Sequence, residues 1–392
     1  MNGLDSHRDM NDIPMAANSR PKVLLLIPHL GGGGAERVTE LLARSLSAEK
    51  YDLHLGLITR AQSGGEELPS WIHVHALGAR RVRGGIFRLL RLVRQLKPEL
   101  ILSGMYHLNF LVLLLRPFFP PNTRVMVRQN GTVSSALAFG GLPGYTRLLY
   151  RLLYHHADRV ICQTQSMADD VARTLEVEQN RLAVLPNPVD VEEIRSSIYL
   201  NPAPQTNSHP NTGPHLLAMG RLSPEKGFDL LLPAFASVRR EFPDASLLIA
   251  GAGPDEVKLK ALCRTLGLDS LVRFAEPIDR PWTLFPEATL FVLPSRHEGL
   301  PNALLEAAAG GLPIVALPAS GGIVDLLGDQ PGVWLAPDAS VEALTASLRT
   351  ALRALKPGER FAHPFVEVFR IERAIGTYEK VIDRMLEGNT DA

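Results

Sequence analysis

A chain of 392 residues with 45% apolar content is long enough for two domains of ordinary size, each burying its own core. Net charge is zero, with no overall basic footprint for nucleic acid, and the two cysteines, Cys162 and Cys263, are too few for a disulfide framework and fit a reducing cytoplasm. The charge is unevenly shared, +6 over residues 1–190 and −6 over 191–392, which favours an anionic membrane surface or phosphorylated acceptor for the first half; a solvated basic face accounts for it as well.

Residues Met1 to Arg20 are polar, carry Asp5, Asp9 and Asp12, and lack the apolar stretch of a signal peptide; they read as a disordered leader. KVLLLIPHL, Lys22 to Leu30, is an apolar run of strand length, followed by Gly31 to Gly34 and the helically periodic AERVTELLARSLS. Strand, glycine loop and helix open a doubly wound α/β domain. The loop, Gly33 included, lets a ligand approach backbone at the helix start, or else it is a tight turn packing strand on helix. A nicotinamide site would place an acid at the end of the next strand, but LHLGLITR ends in Thr59 and Arg60, so the dehydrogenase reading weakens.

Ala79 to Pro98 interleaves Arg80, Arg81, Arg83, Arg88, Arg91, Arg94 and Lys97 with apolar residues that recur at helical spacing from Ile86. Two readings stand: a helix lying on anionic lipid, or an outer helix with a solvated arginine face. YTRLLYRLLYHH, Tyr145 to His156, tilts the balance toward peripheral membrane contact. The most apolar window, Leu100 to Phe119, contains His107, Asn109 and Arg116 and ends in prolines, so it reads as strand plus buried helix and not as a membrane span. RVMVRQNGTVSS and then RVICQTQSMADDVARTL follow, the latter a strand and a helix with Ser166 as N-cap. LAVLPNPVD ends at Asp190, and Tyr199 to Pro214, rich in Pro and Asn, is the clearest linker.

HLLAMGRLSPEKGFDLLLPAFASVRREFP repeats strand, loop and helix, with Arg221 in the loop and Lys226 at the helix start; surface charges are the plainer reading of both. ASLLIAGAGPDEVKLKALCRTLG repeats it again, putting Gly251 and Gly253 beside a ligand. After the strand-like ATLFVLP comes SRHEGLPNALLEAAAGGLPIV, whose helix is expected to begin near Pro301 and to carry Glu306, with Glu298 just before its first turn. Free N–H groups at that helix start suit a phosphate, and two carboxylates suit sugar hydroxyls; together they spell a nucleotide-sugar. An ordinary strand-to-helix corner with surface glutamates is the alternative. VEALTASLRTALRAL and VEVFRIERAIGTYEKVIDRML read as helices, and no metal-ligand spacing occurs, so no metal or cofactor is expected.

EGLPNALLE together with GRLSPEKG resembles the nucleotide-sugar site of the family 4 retaining glycosyltransferases, and the likeness runs from about Pro21 to the end of the chain. The resemblance implies the GT-B arrangement: α/β, two doubly wound Rossmann-like domains facing across a cleft. It implies that Glu298 approaches the donor sugar, that Glu306 binds ribose hydroxyls, and that Arg221 and Lys226 neutralise the diphosphate. Backbone around Gly299, Leu300 and Asn302 would meet the phosphates, and LVRFAE would pack on the base and hydrogen-bond it through backbone, at Arg273 and Phe274. Many relatives place a histidine after the RVMVR strand; this chain has Arg128, Gln129 and Asn130 there, leaving the general base unassigned and His107 as a substitute.

The expected layout is a leader over 1–20, an acceptor-side domain over 21–190, a linker over 191–214, a nucleotide-sugar domain over 215–370 and a returning helix over 371–392. The expected activity is transfer from a UDP-sugar, or a GDP-sugar, to a glycan or lipid-linked acceptor of bacterial surface polysaccharide, in the cytoplasm or at the inner membrane face. Two alternatives stay open: a GT-B nucleotide-sugar isomerase, needing no acceptor, and a nucleotide-sugar-binding regulator without turnover.

Overall fold

The apolar runs of the sequence become the strands of two parallel sheets in the structure, a computed structural model that describes residues 20–31, 33–59, 68–79, 82–139, 145–200 and 213–388. The expected leader up to residue 19, Arg80, Arg81, and residues 201–212 of the expected linker lie outside the described residues. The first sheet comprises β1 (Lys22–Ile27), β2 (Asp52–Thr59), β3 (His73–Ala79), β4 (Leu100–Ser103), β5 (Arg124–Arg128), β6 (Arg159–Cys162) and β7 (Leu182–Val184). The second comprises β8 (His215–Met219), β9 (Ser246–Ala250), β10 (Val272–Ala275), β11 (Leu290–Leu293), β12 (Ile314–Ala316) and β13 (Val333–Leu335).

Parallel strands need covered faces, and the helices supply them. In the first half these are α1 (Gly34–Ser45), α2 (Ile86–Leu96), α3 (Tyr106–Leu115), α4 (Val133–Phe139), α5 (Tyr145–Tyr154), α6 (Gln165–Leu175) and α7 (Val191–Leu200). The second half adds α8 (Phe228–Val238), α9 (Glu256–Thr265), α10 (Asn302–Ala309), α11 (Ile323–Leu327), α12 (Val341–Ala354) and α13 (Ile371–Leu386).

Strand order is β3-β2-β1-β4-β5-β6-β7 in the first sheet and β10-β9-β8-β11-β12-β13 in the second. Register is set by buried residues, with Leu25 opposite Leu55 and Leu102 across β1, and Leu217 opposite Leu248 and Phe291 across β8. Alternation along β1 sends Leu24 and Leu26 to one core and Val23, Leu25 and Ile27 to another, on the opposite face. The second core contains Tyr378, Ile382 and Met385 of α13, so the last helix covers the first sheet and not the second.

Three local expectations are corrected. Residues 191–200 are helical: Val191 and Ile194 are buried, with Ile198 packed beside them, one face of α7 lying on α10. The N-cap of α6 is Thr164 and not Ser166, because the Thr164 hydroxyl accepts from the Met167 N–H, at 3.2 Å, where the extended backbone stops. VEVF does not extend the last helix. It belongs to a separate 3-10 turn, Pro364–Phe369, whose closing bridge of Arg370 to Val189 ties it back to the crossover.

Candidate active site

In an open parallel sheet, ligands bind past the carboxyl ends of the strands, where the order reverses and adjacent loops diverge. The reversal falls between β1 and β4 in the first sheet and between β8 and β11 in the second. The loop after β1 is the glycine run, and the one after β4 leads to His107. The loop after β8 carries Arg221 and Lys226, and the one after β11 carries Ser295 to Pro301. Four loops that the sequence, read with its family resemblance, singles out thus occupy two switch points.

Around the second switch point the geometry is tight. Lys226 closes a 3-10 turn, Pro224–Lys226, and its Nζ donates to both oxygens of Glu298, at 2.6 and 2.8 Å. Ser295, itself buried, donates its hydroxyl to Glu298 Oε1 at 2.6 Å. Arg221 is exposed, its backbone oxygen accepts from the Ser223 N–H at 2.9 Å, and its guanidinium makes no hydrogen bond or ion pair among the described residues. Its loop is pressed against the one after β9: a Cβ at Gly251 would lie 1.9 Å from the Gly220 oxygen, and one at Gly253 2.3 Å from the Leu222 oxygen. The two glycines therefore let the loop bearing Arg221 sit where it does. Helix α10 starts at Asn302 with Pro301 as N-cap, and Leu300 is buried beneath that start.

The two domains touch across the cleft. Asn302 Nδ2 donates to the Gly34 oxygen at 2.7 Å, and Gly299 approaches Asn130 so closely that a Cβ would sit 2.6 Å from its carbonyl oxygen. On the far side Thr164 donates to the Gly321 oxygen at 2.8 Å. Arg37, in the first turn of α1, reaches Glu306 Oε1 at 3.0 Å and lies over the Trp282 ring, 5.4 Å from its centroid. Between the domains remains a cavity of about 270 Å³ lined by Gly33, Gly34, Arg37, Ile278, Asn302 and Glu306, among others. Burial pushes the Glu306 carboxyl above the ordinary glutamate range, and the Arg37 charge pulls it back.

On the first domain, the trio at the usual histidine position is structural. Arg128, almost wholly buried, donates to Asn130 and to Asn187 Oδ1, the latter at 2.5 Å, and Gln129 accepts from the Tyr154 hydroxyl at 2.7 Å. Asn187 then donates to the Leu300 oxygen at 3.1 Å and to Asn302 Oδ1 at 2.7 Å, linking the trio to the α10 corner. His107 is half-buried in the first turn of α3. Burial holds its pKa below the usual histidine value, against the pull of Glu36, so the neutral ring that can accept a proton prevails at neutral pH.

At the two expected base contacts neither side chain faces the cleft. Phe274 packs toward the core under α9, with Lys260 above its ring, and Arg273 lines a different cavity of about 350 Å³ with His215, Ser246 and Glu287. That cavity lies at the amino ends of β8 and β9, away from the switch point. Successive strand residues point to opposite faces, so neither side chain follows the strand out of its carboxyl end. Ser295, Asn187 and Arg37 escaped the sequence reading, although each lies inside or beside a stretch that was quoted for its neighbours.

Two doubly wound sheets with opposed switch points, and a cation–carboxylate cluster between them, define a GT-B protein. Two family profiles match: Glycosyltransferase Family 4 over residues 32–193 and Glycosyl transferases group 1 over residues 202–362, and the chain belongs to this glycosyltransferase family. An uncharacterised glycosyltransferase of Methanocaldococcus jannaschii is 26% identical over 238 residues, 59% of this chain and 58% of that protein. The N-acetylgalactosamine-N,N'-diacetylbacillosaminyl-diphospho-undecaprenol 4-alpha-N-acetylgalactosaminyltransferase of Campylobacter jejuni is 25% identical over 343 residues, 84% of this chain and 90% of the relative. The matched regions span 58% and 38% of the first two curated relatives. Among solved structures, sucrose-phosphate synthase from Thermosynechococcus elongatus superposes with a TM-score of 0.77 at 17% identity, covering 94% of this chain and 100% of that one. Anabaena HepE in complex with UDP-glucose gives 0.71 at 16% identity, covering 92% and 99%.

Proposed function

We propose that the protein is a retaining glycosyltransferase that moves a sugar from a nucleotide-diphosphate donor, UDP-linked in preference to GDP-linked, to a glycan or lipid-linked acceptor of a bacterial surface polysaccharide or glycolipid. The observation that carries this reading is the Lys226–Glu298–Ser295 cluster at the second switch point, with the unpaired Arg221 on the same loop. A diphosphate arriving there meets two cations on one loop, and Glu298 keeps an oxygen toward the donor sugar's hydroxyls. As the bond from the anomeric carbon to the diphosphate breaks, negative charge gathers on the leaving oxygen, where Lys226 and Arg221 stabilise it. The acceptor hydroxyl adds on the face the diphosphate leaves, and its proton passes to that departing phosphate oxygen, so the anomeric configuration is kept. The two side chains take the role a metal ion fills in other transferases, so activity is expected to survive a chelator.

A UDP-glucose complex of HepE supports the donor class, and the undecaprenol-linked substrate in the name of the Campylobacter relative supports the acceptor class. Among the described residues no helix is long and apolar enough to cross a membrane. In this proposal the outer face of the first domain meets the lipid-linked acceptor, at the cytoplasmic side of the membrane. The test is UDP release from a panel of UDP-sugars with and without a polyprenyl-diphosphate-linked glycan, followed by NMR of the product's anomeric proton. Acceptor-dependent release and an α-linked product from an α-linked donor support the proposal. Release indifferent to acceptor, or a β-linked product, overturns it.

A further inference from the structure

Glu306 is a buried acid, and what answers it does not come from its own domain. Its Oε1 accepts from Arg37 of α1 at 3.0 Å, and among the described residues no group bonds Oε2. The arginine is held by more than that bond, since its guanidinium also lies over Trp282. The side chains are 30% and 9% exposed, so the pair is screened from solvent more on the acid's side than on the arginine's.

We propose that Arg37 is a positioning residue for the nucleoside subsite: reaching across from the first domain, it fixes one oxygen of Glu306 and leaves the other for a ribose diol. The subsite is then complete only while the two domains are together, and nucleotide binding and closure favour one another. This rests on Glu306 being the ribose acid. The physical need is plain: a carboxylate withdrawn from water loses its charge unless a cation or N–H donors hold it, and a neutral acid is a weaker acceptor for two hydroxyls. The other charged groups around the cavity are largely engaged with one another. Arg44 pairs with Glu40 at 3.1 Å, Arg280 with Glu193 at 3.2 Å, and Asp190 caps the N–H of Glu193 at 2.8 Å. Asp279 is the remaining acid of the lining and carries no positive charge, so among these groups Arg37 alone bonds the Glu306 carboxylate.

The experiment is UDP titration by calorimetry between pH 5.5 and 8 on the full chain, comparing the parent with Arg37→Gln, Arg37→Lys and Glu306→Ala. Arg37→Gln is expected to weaken UDP about tenfold at pH 7, the ratio that loss of roughly 1.4 kcal/mol from one charge-assisted bond makes. It should also move upward the pH below which affinity falls. Arg37→Lys, which keeps the charge but not the planar fork over Trp282, should recover part of the lost affinity at pH 7.5 and the parent's pH profile. A merely structural role for Arg37 would lower the unfolding temperature without moving the pH profile. If Glu306→Ala weakens UDP while Arg37→Gln binds like the parent at every pH, this proposal falls and the ribose reading stands. If Glu306→Ala leaves UDP affinity unchanged, or the parent binds no UDP, both fall together.

Discussion

A lysine held by both oxygens of one buried carboxylate cannot be removed without stranding that carboxylate. Lys226→Ala should therefore act on the chemistry as well as on its surroundings. Turnover is expected to drop by roughly 10²- to 10³-fold, the cost of removing one group aimed at developing charge, while UDP affinity changes less than about tenfold. Steady-state rates beside a UDP titration separate the two, and unchanged turnover would remove the lysine from the mechanism. Glu306→Gln tests the opposite balance. Burial raises the carboxyl's pKa in the folded protein above its unfolded value near 4.5, so between those values the folded state holds more protons and stability declines as pH rises. Glutamine has no such dependence. In the absence of nucleotide the parent's stability should therefore decline relative to the variant's as pH rises from about 4 to 7.5. The variant's UDP affinity should fall at the same time, and thermal unfolding with and without UDP reads both. Lys226, Glu298 and Glu306 were legible because strand, loop and helix bring neighbouring segments to one corner. Arg37 and Asn187 were not, since each meets its partner over a hundred residues away, and only the facing of two domains decides that contact.

At the scale of elements, the turn that delivers Lys226 depends on one glycine. Gly227 has φ +67°, and a Cβ there would lie 1.9 Å from the Pro294 carbonyl oxygen at the end of β11's extension. Backbone cannot yield as a flexible side chain would, so Gly227→Ala must displace either the lysine turn or the Ser295–Glu298 loop. The expected result is a loss of about 2 kcal/mol or more by chemical denaturation. Turnover should be lost even where the variant remains folded, and full activity would show that the two loops tolerate separation. Strands and their order of appearance were readable because parallel strands buried on both faces are unbroken apolar runs. Sheet order was not readable from periodicity, which gives strands but not their neighbours. What failed were local choices decided by packing: α7 in place of a linker, and Thr164 in place of Ser166. Each pattern was compatible with two answers until a neighbouring element covered one face.

For the molecule as a whole, the uneven charge seen in the sequence acquires a place. Helices α2, α3 and α5 share one core on one side of the first sheet, and their outer surfaces expose Phe87, Leu114, Leu148, Leu149 and Leu152 beside Arg91, Arg94, Arg147 and Arg151. Phe87 is 84% exposed and Leu148 59%, extents that water-facing helices avoid when nothing covers them. Helices that expose both apolar side chains and arginines suit an anionic lipid surface, where Phe87 and the leucines enter the acyl boundary and the guanidinium groups stay at the phosphates. The chain should therefore sediment with vesicles containing phosphatidylglycerol and much less with neutral ones. Raising salt from 0.1 to 0.5 M should weaken but not abolish binding, because it screens the arginine share and leaves the apolar share. Replacing Leu148, Leu149 and Leu152 together by Ser should reduce binding about 100-fold, taking roughly 1 kcal/mol for each partly inserted side chain. Turnover on a soluble acceptor fragment should be untouched, since none of the three lines the cleft. Loss of activity on the lipid-linked acceptor alone would then assign these helices to delivery of the acceptor, and equal vesicle binding by parent and variant would take that role away from them.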